Sequence, residues 1–271
     1  MILSVIIPTY KRNDLLTQCL EKLSPEIQTL DSNLFEVIIT DDSPNFDAKN
    51  LIEEKFTWTK WVEGPHRGPA SNRNNGAKKA KGDWFVFIDD DCLPDKNVLL
   101  EYYNEIIKNE YKAIEGYINA DRPRERFDEE APLNLNGGCF WSCNIAIEKS
   151  LFISINGFDE GFPYPAMEDV DFAQRLAKKT KTCFLASAKV IHPWRKVKPF
   201  HSYKKWIVSN KYILKKNNTK IDIRFRIKRF NLFLGLMYSH TLKLKQFSFK
   251  GIGVYFEHLW FQFLMIFIRV K

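Results

Sequence analysis

The run Asp83-Trp84-Phe85-Val86-Phe87-Ile88-Asp89-Asp90-Asp91 decides how the rest of the chain is read. Its five successive apolar residues, Trp84 to Ile88, form a strand without a solvent face, as in a parallel sheet covered on both sides. Three carboxylates follow, and they repel one another unless a cation sits among them. Open α/β sheets bind ligands outside the carboxyl ends of their strands. The segment therefore predicts a metal site beside a bound, phosphorylated ligand. The plainer possibility is an acidic, solvated loop after a strand.

Upstream, Leu3–Ile7 is a short buried strand stopped by Pro8-Thr9-Tyr10. Asn13 or Asp14 can cap a helix with Leu15, Leu16, Cys19, Leu20 and Leu23 on one face. Phe35–Thr40 is the next strand, running into Asp41-Asp42-Ser43-Pro44. Residues 51–63 hold a helix and a short strand, 64–69 a loop, and Ala70–Lys81 a helix closed by Gly82, after which the strand is expected to run from Asp83 to Asp91. This alternation through the first 100 residues or so predicts a mostly parallel, doubly wound sheet flanked by helices. Parallel strands end on one edge, so Asp41-Asp42 and Asp89–Asp91 are expected to be neighbours in space. Downstream, Val98–Asn109 is a helix, and the charged, Pro-containing residues 121–132 read as an exposed, mobile loop. Gly137–Ser142 opens a less regular half. A helix begins at Glu168-Asp169 with Val170, Phe172, Ala173 and Leu176 on its apolar face. Lys181–Ala186 and Val190-Ile191 read as two short strands, the second leading to His192.

The 271 residues carry a net charge of +8 that hides an asymmetry. Residues 195–271 hold 18 basic and 2 acidic residues, and the remainder 23 basic and 31 acidic. Such a tail suits nucleic acid, anionic lipid or a phosphorylated acceptor. The five cysteines include no CxxC pair, which argues against a zinc site and for free thiols in a reducing compartment. The N-terminus enters a strand almost at once, and no signal peptide is expected.

Four segments in order, Val5–Arg12 (VIIPTYKR), Ile39–Ser43 (ITDDS), Asn72–Asp91 (NRNNGAKKAKGDWFVFIDDD) and Asn156–Leu176 (NGFDE…MEDVDFAQRL), resemble those of family 2 glycosyltransferases, non-processive members with the GT-A fold. The match covers about residues 1–194. It implies an inverting transfer from a nucleotide-activated sugar, a UDP-sugar in the first instance, with Mg²⁺ or Mn²⁺. By resemblance Asp91 binds the metal and Asp89 lies near the ribose or the metal. Asp90 lies with the nucleotide or is structural. Asp41 recognises the nucleoside, Pro8, Thr9 and Tyr10 pack on the base, and Arg73 sits near the nucleotide. Asp169 matches the catalytic base, and His192 a late histidine that completes the metal site. Residue by residue, blander readings stand beside these. Asp41–Pro44 is a turn sequence, Arg73 a solvated helix arginine, Glu168-Asp169 an ordinary acidic first turn, and His192 a surface or core histidine. Trp141 is a candidate for stacking on a sugar or acceptor. No QxxRW-type segment follows Glu168-Asp169, which argues against a processive synthase.

This gives a glycosyltransferase domain over 1–194, with a nucleotide-binding half (1–100) and an acceptor-side half (101–194), and a basic, aromatic extension over 195–271. Val254–Val270 is largely apolar, and on a helix at about 100° per residue His258, Gln262 and Arg269 share one narrow stripe. It is short and polar for a membrane span. An in-plane helix on an anionic membrane, at the cytoplasmic face, suits it better; packing on the catalytic domain or in a homodimer is the alternative. No nucleic-acid module accompanies the charge. The expected partners are the nucleotide-sugar and a glycan or lipid-linked acceptor. A sugar-phosphate nucleotidyltransferase is a rival, weakened because Pro8–Arg12 lacks the glycines of a phosphate loop; a catalytically inactive nucleotide-sugar-binding or scaffold protein is another.

Overall fold

The computed structural model describes residues 3–269; Val270, the end of the expected apolar stretch, lies outside them. The chain divides into two compact units. One comprises residues 1–121, 132–160 and 168–193, the other residues 122–131, 161–167 and 194–271.

The first unit opens with β1 (Leu3–Thr9), α1 (Asn13–Leu23), β2 (Phe35–Asp41), α2 (Asp47–Lys55), β3 (Lys60–Glu63), α3 (Pro69–Lys79) and β4 (Trp84–Ile88). β5 (Leu93–Pro94), α4 (Val98–Ile107) and β6 (Ala113–Asn119) follow. Among the described residues the sheet has the order β3-β2-β1-β4-β8-β6-β9-β5, where β8 is Asn144–Glu148 and β9 is Cys183–Ile191. The first four strands are parallel. β8 runs antiparallel to both β4 and β6, and β6 pairs parallel with β9. The sheet is thus mixed, parallel in its first half with a reversed strand at the centre.

The pleat explains the uninterrupted apolar runs. Leu3, Val5 and Ile7 of β1 and Trp84, Val86 and Ile88 of β4 join one core with Leu16 and Leu20 of α1. Ile6, Phe85 and Phe87 point the other way, into a second core with Ala77 of α3. Both faces are covered, so neither can be polar. α3 lies very close to the sheet: a Cβ on Gly76 would sit 2.5 Å from Ile6 Cγ2. In the second core Phe158 stacks on Phe172 at 4.3 Å, which fastens α6 (Glu168–Ala177) by its apolar face. α5 (Lys149–Ser154) completes this side.

Two expectations shift locally. The strand expected to reach Asp91 ends at Ile88, and Asp89–Asp91 form a turn closed by the Cys92 N–H on the Asp89 carbonyl, 3.1 Å. The two strands expected over 181–191 are one, β9, with a bulge opposite Gly116/Tyr117. Asn144 explains the irregularity. It is fully buried and donates to the Tyr117 and Ala188 carbonyls at 3.0 and 2.9 Å.

In the second unit, β7 (Glu129–Glu130) pairs antiparallel with β10 (Arg195–Lys196). The helices α7 (Tyr203–Lys216), α8 (Ile223–Gln246) and α9 (Ile252–Ile266) follow. Residues 122–131 are exposed at Arg122, Pro123 and Glu125, as their composition predicts, but turn inward at Phe127–Glu129. Phe127 is 1% exposed and packs with Leu244 and Val254, and Arg122 holds Glu129 at 2.6 Å. The charges of this segment pair with one another, which lets its one aromatic residue enter a core. Glu257, an apparent interruption of the apolar stretch, is buried as well. Its carboxylate accepts the N–H groups of Phe200, Ser202 and Tyr203 at 2.7–2.9 Å, at the start of α7. Among the described residues no helix is long and apolar enough to cross a membrane.

Candidate active site

The site lies within the first unit, and α3 organises it. Each residue of Asn72-Arg73-Asn74-Asn75 ties α3 to another part of the unit, Asn72 and Asn75 both reaching Thr40 at the end of β2. Asn72 donates to the Thr40 carbonyl at 2.8 Å and accepts from the Thr40 hydroxyl at 2.5 Å. Arg73, 5% exposed, reaches Asp89 Oδ1 with Nη2 at 2.7 Å and Glu168 Oε1 with Nη1 at 3.5 Å. Asn74 exchanges hydrogen bonds with the backbone of Phe158 at 2.8 and 2.9 Å. Asn75 donates to the Thr40 hydroxyl and the Glu63 carbonyl at 3.0 and 2.8 Å. The sequence showed this run as part of a motif, yet gave the asparagines no role. Their signal is the cluster itself, since four polar residues in sequence on a packed helix need partners.

Arg73 is thus far from a solvated helix arginine. It joins the end of β4 to the first turn of α6, bringing the Asp89–Asp91 and Glu168-Asp169 motifs together. Burial pushes the Glu168 carboxyl up to about 7, against the pull of Arg73 and with help from Asp169. Asp169 is raised too, burial again outweighing Arg73; its Oδ1 accepts its neighbour's N–H, Val170, at 2.8 Å. Glu168 Oε2 is buried without a hydrogen-bond partner.

At the end of β4 the three carboxylates separate. Asp89 faces Arg73. Asp90 is wholly buried, accepting from the Thr9 hydroxyl at 2.7 Å and pairing with Arg12 at 2.5 Å. Burial still lifts its carboxyl to about 7. Asp90 and Thr9, both assigned to the nucleotide, therefore spend their polar atoms on each other and brace β1 against β4. Pro8 is internal to β1, and Tyr10 is exposed. Asp91 meets Arg12 at 2.8 Å through Oδ2 and His192 Nε2 at 3.2 Å through Oδ1. Arg12, inside the first motif but given no role by it, is a further residue that the sequence reading missed. A basic residue three positions beyond a strand end was the available signal.

Asp91 and His192 fit a divalent cation. Two adjacent ligands of an octahedral ion at about 2.1 Å stand about 3 Å apart, close to the 3.2 Å seen here. His192 Nδ1 lies 3.1 Å from the Pro193 carbonyl; with Nδ1–H donating there, Nε2 would turn a lone pair to a bound cation. Burial alone would lower the imidazole pKa, but Asp91 reverses the direction and raises it. The Cys92 thiol lies within 4.8 Å of both. Burial pushes its pKa far up, and hard cations prefer oxygen, so it does not belong to the ligand set. Charge points the same way. Asp89, Asp90, Asp91, Glu168 and Asp169 face Arg12, Arg73 and His192, an excess of carboxylate that protons or a cation must relieve.

The end of β2 differs. Asp41, assigned to the nucleoside, is fully buried, and its oxygens take the N–H groups of Ser43 and Ala48 at 2.9 and 3.0 Å. Asp42 takes those of His66 and Gly68 at 2.7 and 2.8 Å. An open groove of about 680 Å³ lies alongside, lined by Lys11, Arg12, Asn13, Asn45, Phe46 and Asp47 among others. Trp141 is partly buried, its indole N–H on the Leu133 carbonyl at 3.2 Å. Its loop is held by Glu115, whose carboxylate accepts the N–H groups of Gly138, Cys139 and Phe140.

Sheet order, helix placement and the acidic edge define a GT-A type α/β protein. The Staphylococcus aureus TarS fragment solved in complex with UDP-GlcNAc has the same fold, with a TM-score of 0.59 and 23% identity over 79% of this chain and 67% of that one. The model of glycosyl transferase family 2 matches residues 4–151, over half of the chain, and the chain belongs to that family. It is 32% identical over 195 residues to an uncharacterized glycosyltransferase of Haemophilus influenzae, covering 65% of this chain and 62% of the relative. It is 34% identical over 94 residues to the GalNAc(5)-diNAcBac-PP-undecaprenol beta-1,3-glucosyltransferase of Campylobacter jejuni, covering 33% of this chain and 29% of the relative. The chain thus spans less than two thirds of the length of the curated relatives it matches.

Proposed function

We propose that the protein is a metal-dependent, inverting, non-processive glycosyltransferase. It moves a sugar from a nucleotide donor, a UDP-sugar, to a glycan or lipid-linked acceptor in surface-polysaccharide assembly at the cytoplasmic face of the membrane. One observation carries this reading: Arg73 joins Asp89 at 2.7 Å and Glu168 at 3.5 Å, so the segment with Asp169, the candidate base next to Glu168, is tied to the Asp89–Asp91 turn that carries the candidate cation site. The acceptor class is supported by the undecaprenol-linked substrate in the Campylobacter relative's name, and the donor class by the UDP-GlcNAc complex of the fold neighbour.

Asp91 and His192 would hold the cation, with Asp89 next to them. Mg²⁺ or Mn²⁺ bound there supplies charge neutralisation for a diphosphate leaving group. Asp169 accepts the proton of the acceptor hydroxyl as that oxygen bonds to the anomeric carbon. The bond to the diphosphate breaks on the opposite face, and its electron pair leaves with the phosphate oxygen. Arg73 keeps the carboxylates in register, and Asp90 with Arg12 and Thr9 fixes the floor.

The test is a thermal-shift panel of nucleotide sugars with Mn²⁺, because a ligand that binds only the folded state raises its stability. A UDP-sugar should raise Tm only with metal present. Asp169→Asn should keep that shift and lose transfer; full transfer by this variant removes Asp169 as the base.

A further inference from the structure

In the second unit, α8 and α9 wear their apolar stripes on the outside. Ile223, Ile227, Phe230, Leu234 and Tyr238 recur along α8 with helical spacing, and all are exposed, Ile223 at 68% and Tyr238 at 70%. On α9 the exposed stripe is Ile252, Phe256, Trp260 and Phe263, continued by Phe267 just past its end. The polar residues of α9 turn inward instead. Glu257 is 1% exposed, and His258 packs against Trp206 and Phe127 at 5.4 and 5.7 Å. A helix of a water-soluble surface is arranged the other way round. The two helices meet where the half-buried Phe233 of α8 lies 6.2 Å from Phe263 of the α9 stripe, ring centre to ring centre, in a shallow groove lined by apolar side chains, Phe256 and Trp260 of that stripe among them. So broad an exposed apolar face marks an interaction surface.

Charge chooses the occupant. Residues 195–271 carry 18 basic and 2 acidic residues. Among them Lys215, Lys216, Arg224, Lys228, Lys243 and Lys245 are exposed. Two copies of this unit brought face to face would repel, whereas an anionic bilayer offers apolar depth and compensating charge together. We propose that the exposed stripes of α8 and α9 form one surface that seats on anionic lipid. Phe230, Trp260 and Phe263 enter the boundary between headgroups and acyl chains, and the lysines and arginines around them meet the phosphates. This deepens the membrane placement proposed above and does not depend on the transfer chemistry.

Flotation of the full chain with vesicles tests it. Phosphatidylcholine vesicles containing phosphatidylglycerol should carry the protein, and pure phosphatidylcholine vesicles should not. Added salt should weaken the binding. Phe230→Ser combined with Trp260→Ser should reduce partitioning about tenfold or more, while Mn²⁺-dependent stabilisation by donor reports that the catalytic unit is intact. Should that variant misfold, Trp260→Phe serves, because it should remove the blue shift of tryptophan emission on vesicle addition. Absence of binding to anionic vesicles overturns the surface and leaves the catalytic reading untouched. A dimer in sedimentation that the same substitutions dissociate, without vesicle binding, also overturns it and assigns the face to a second copy. Vesicle binding without any donor response supports the surface and sinks the catalytic reading alone.

Discussion

Strand β2 leads into Asp41-Asp42 and β4 into Asp89-Asp90-Asp91, with β1 alone between the two strands in the sheet. The carboxylates of β2 are answered by neutral N–H groups: Ser43 and Ala48 for Asp41, His66 and Gly68 for Asp42. Those of β4 are answered by ions, Arg73 for Asp89, Arg12 for Asp90, and Arg12 with His192 for Asp91. Backbone donors fix a loop and leave no charge to exchange. Cationic partners leave a balance that changes when another cation arrives. The same residue type at equivalent strand ends thus does architectural work on one side and electrostatic work on the other.

Removing the shared cation should break the β4 end most severely. Arg73→Met leaves the buried Glu168 and the half-buried Asp89 without their cation, at a cost of about 3 kcal/mol, visible in chemical denaturation. Asp91→Asn comes next. It should abolish metal-dependent donor binding in calorimetry and lower transfer about a hundredfold or more, with little change in Tm. Unchanged affinity would remove Asp91 from the cation site. Asp42→Ala should do the reverse, costing about 1–3 kcal/mol through two stranded N–H groups while metal affinity stays as it was; a lost metal response there would erase the contrast. The last effect is a pH dependence. The Glu168 carboxyl is raised in the fold to about 7 from 4.5. Its contribution to stability is therefore complete below about pH 4.5 and is lost as pH rises through 7. Without metal, Tm should fall between pH 5 and pH 8, and Glu168→Gln should lessen that slope, with Asp90, also lifted to about 7, supplying the rest.

Much of this was legible in one dimension. The apolar runs of β1, β2 and β4 gave the parallel half, because a strand buried on both faces has no polar alternation to misread. The shared edge of the acidic clusters followed from parallel strands alone. The reversal at β8 was hidden, since Asn144–Glu148 carries no mark of direction and is placed by pairing far along the chain. Residues 122–131 misled because composition reports charge and not whether the charges find one another, as Arg122 and Glu129 do. At the site, the motifs named Asp41, Asp90 and Thr9, but side-chain direction depends on the turn geometry at each strand end. That geometry sends Asp90 inward to the Thr9 hydroxyl. Arg12 went unassigned for the same reason, as its partners lie about 80 positions away.

Gly76 gives the site a mechanical pivot. The methyl group that any other residue would bring, 2.5 Å from Ile6 Cγ2, acts like a shim driven under one end of a beam. Three positions along that beam stands Arg73, whose guanidinium spans two motifs with little slack. Lifting α3 by a fraction of a bond length would open the span at both ends at once. Gly76→Ala should therefore yield a protein that folds yet is mistuned, slower in transfer than its loss of stability alone explains.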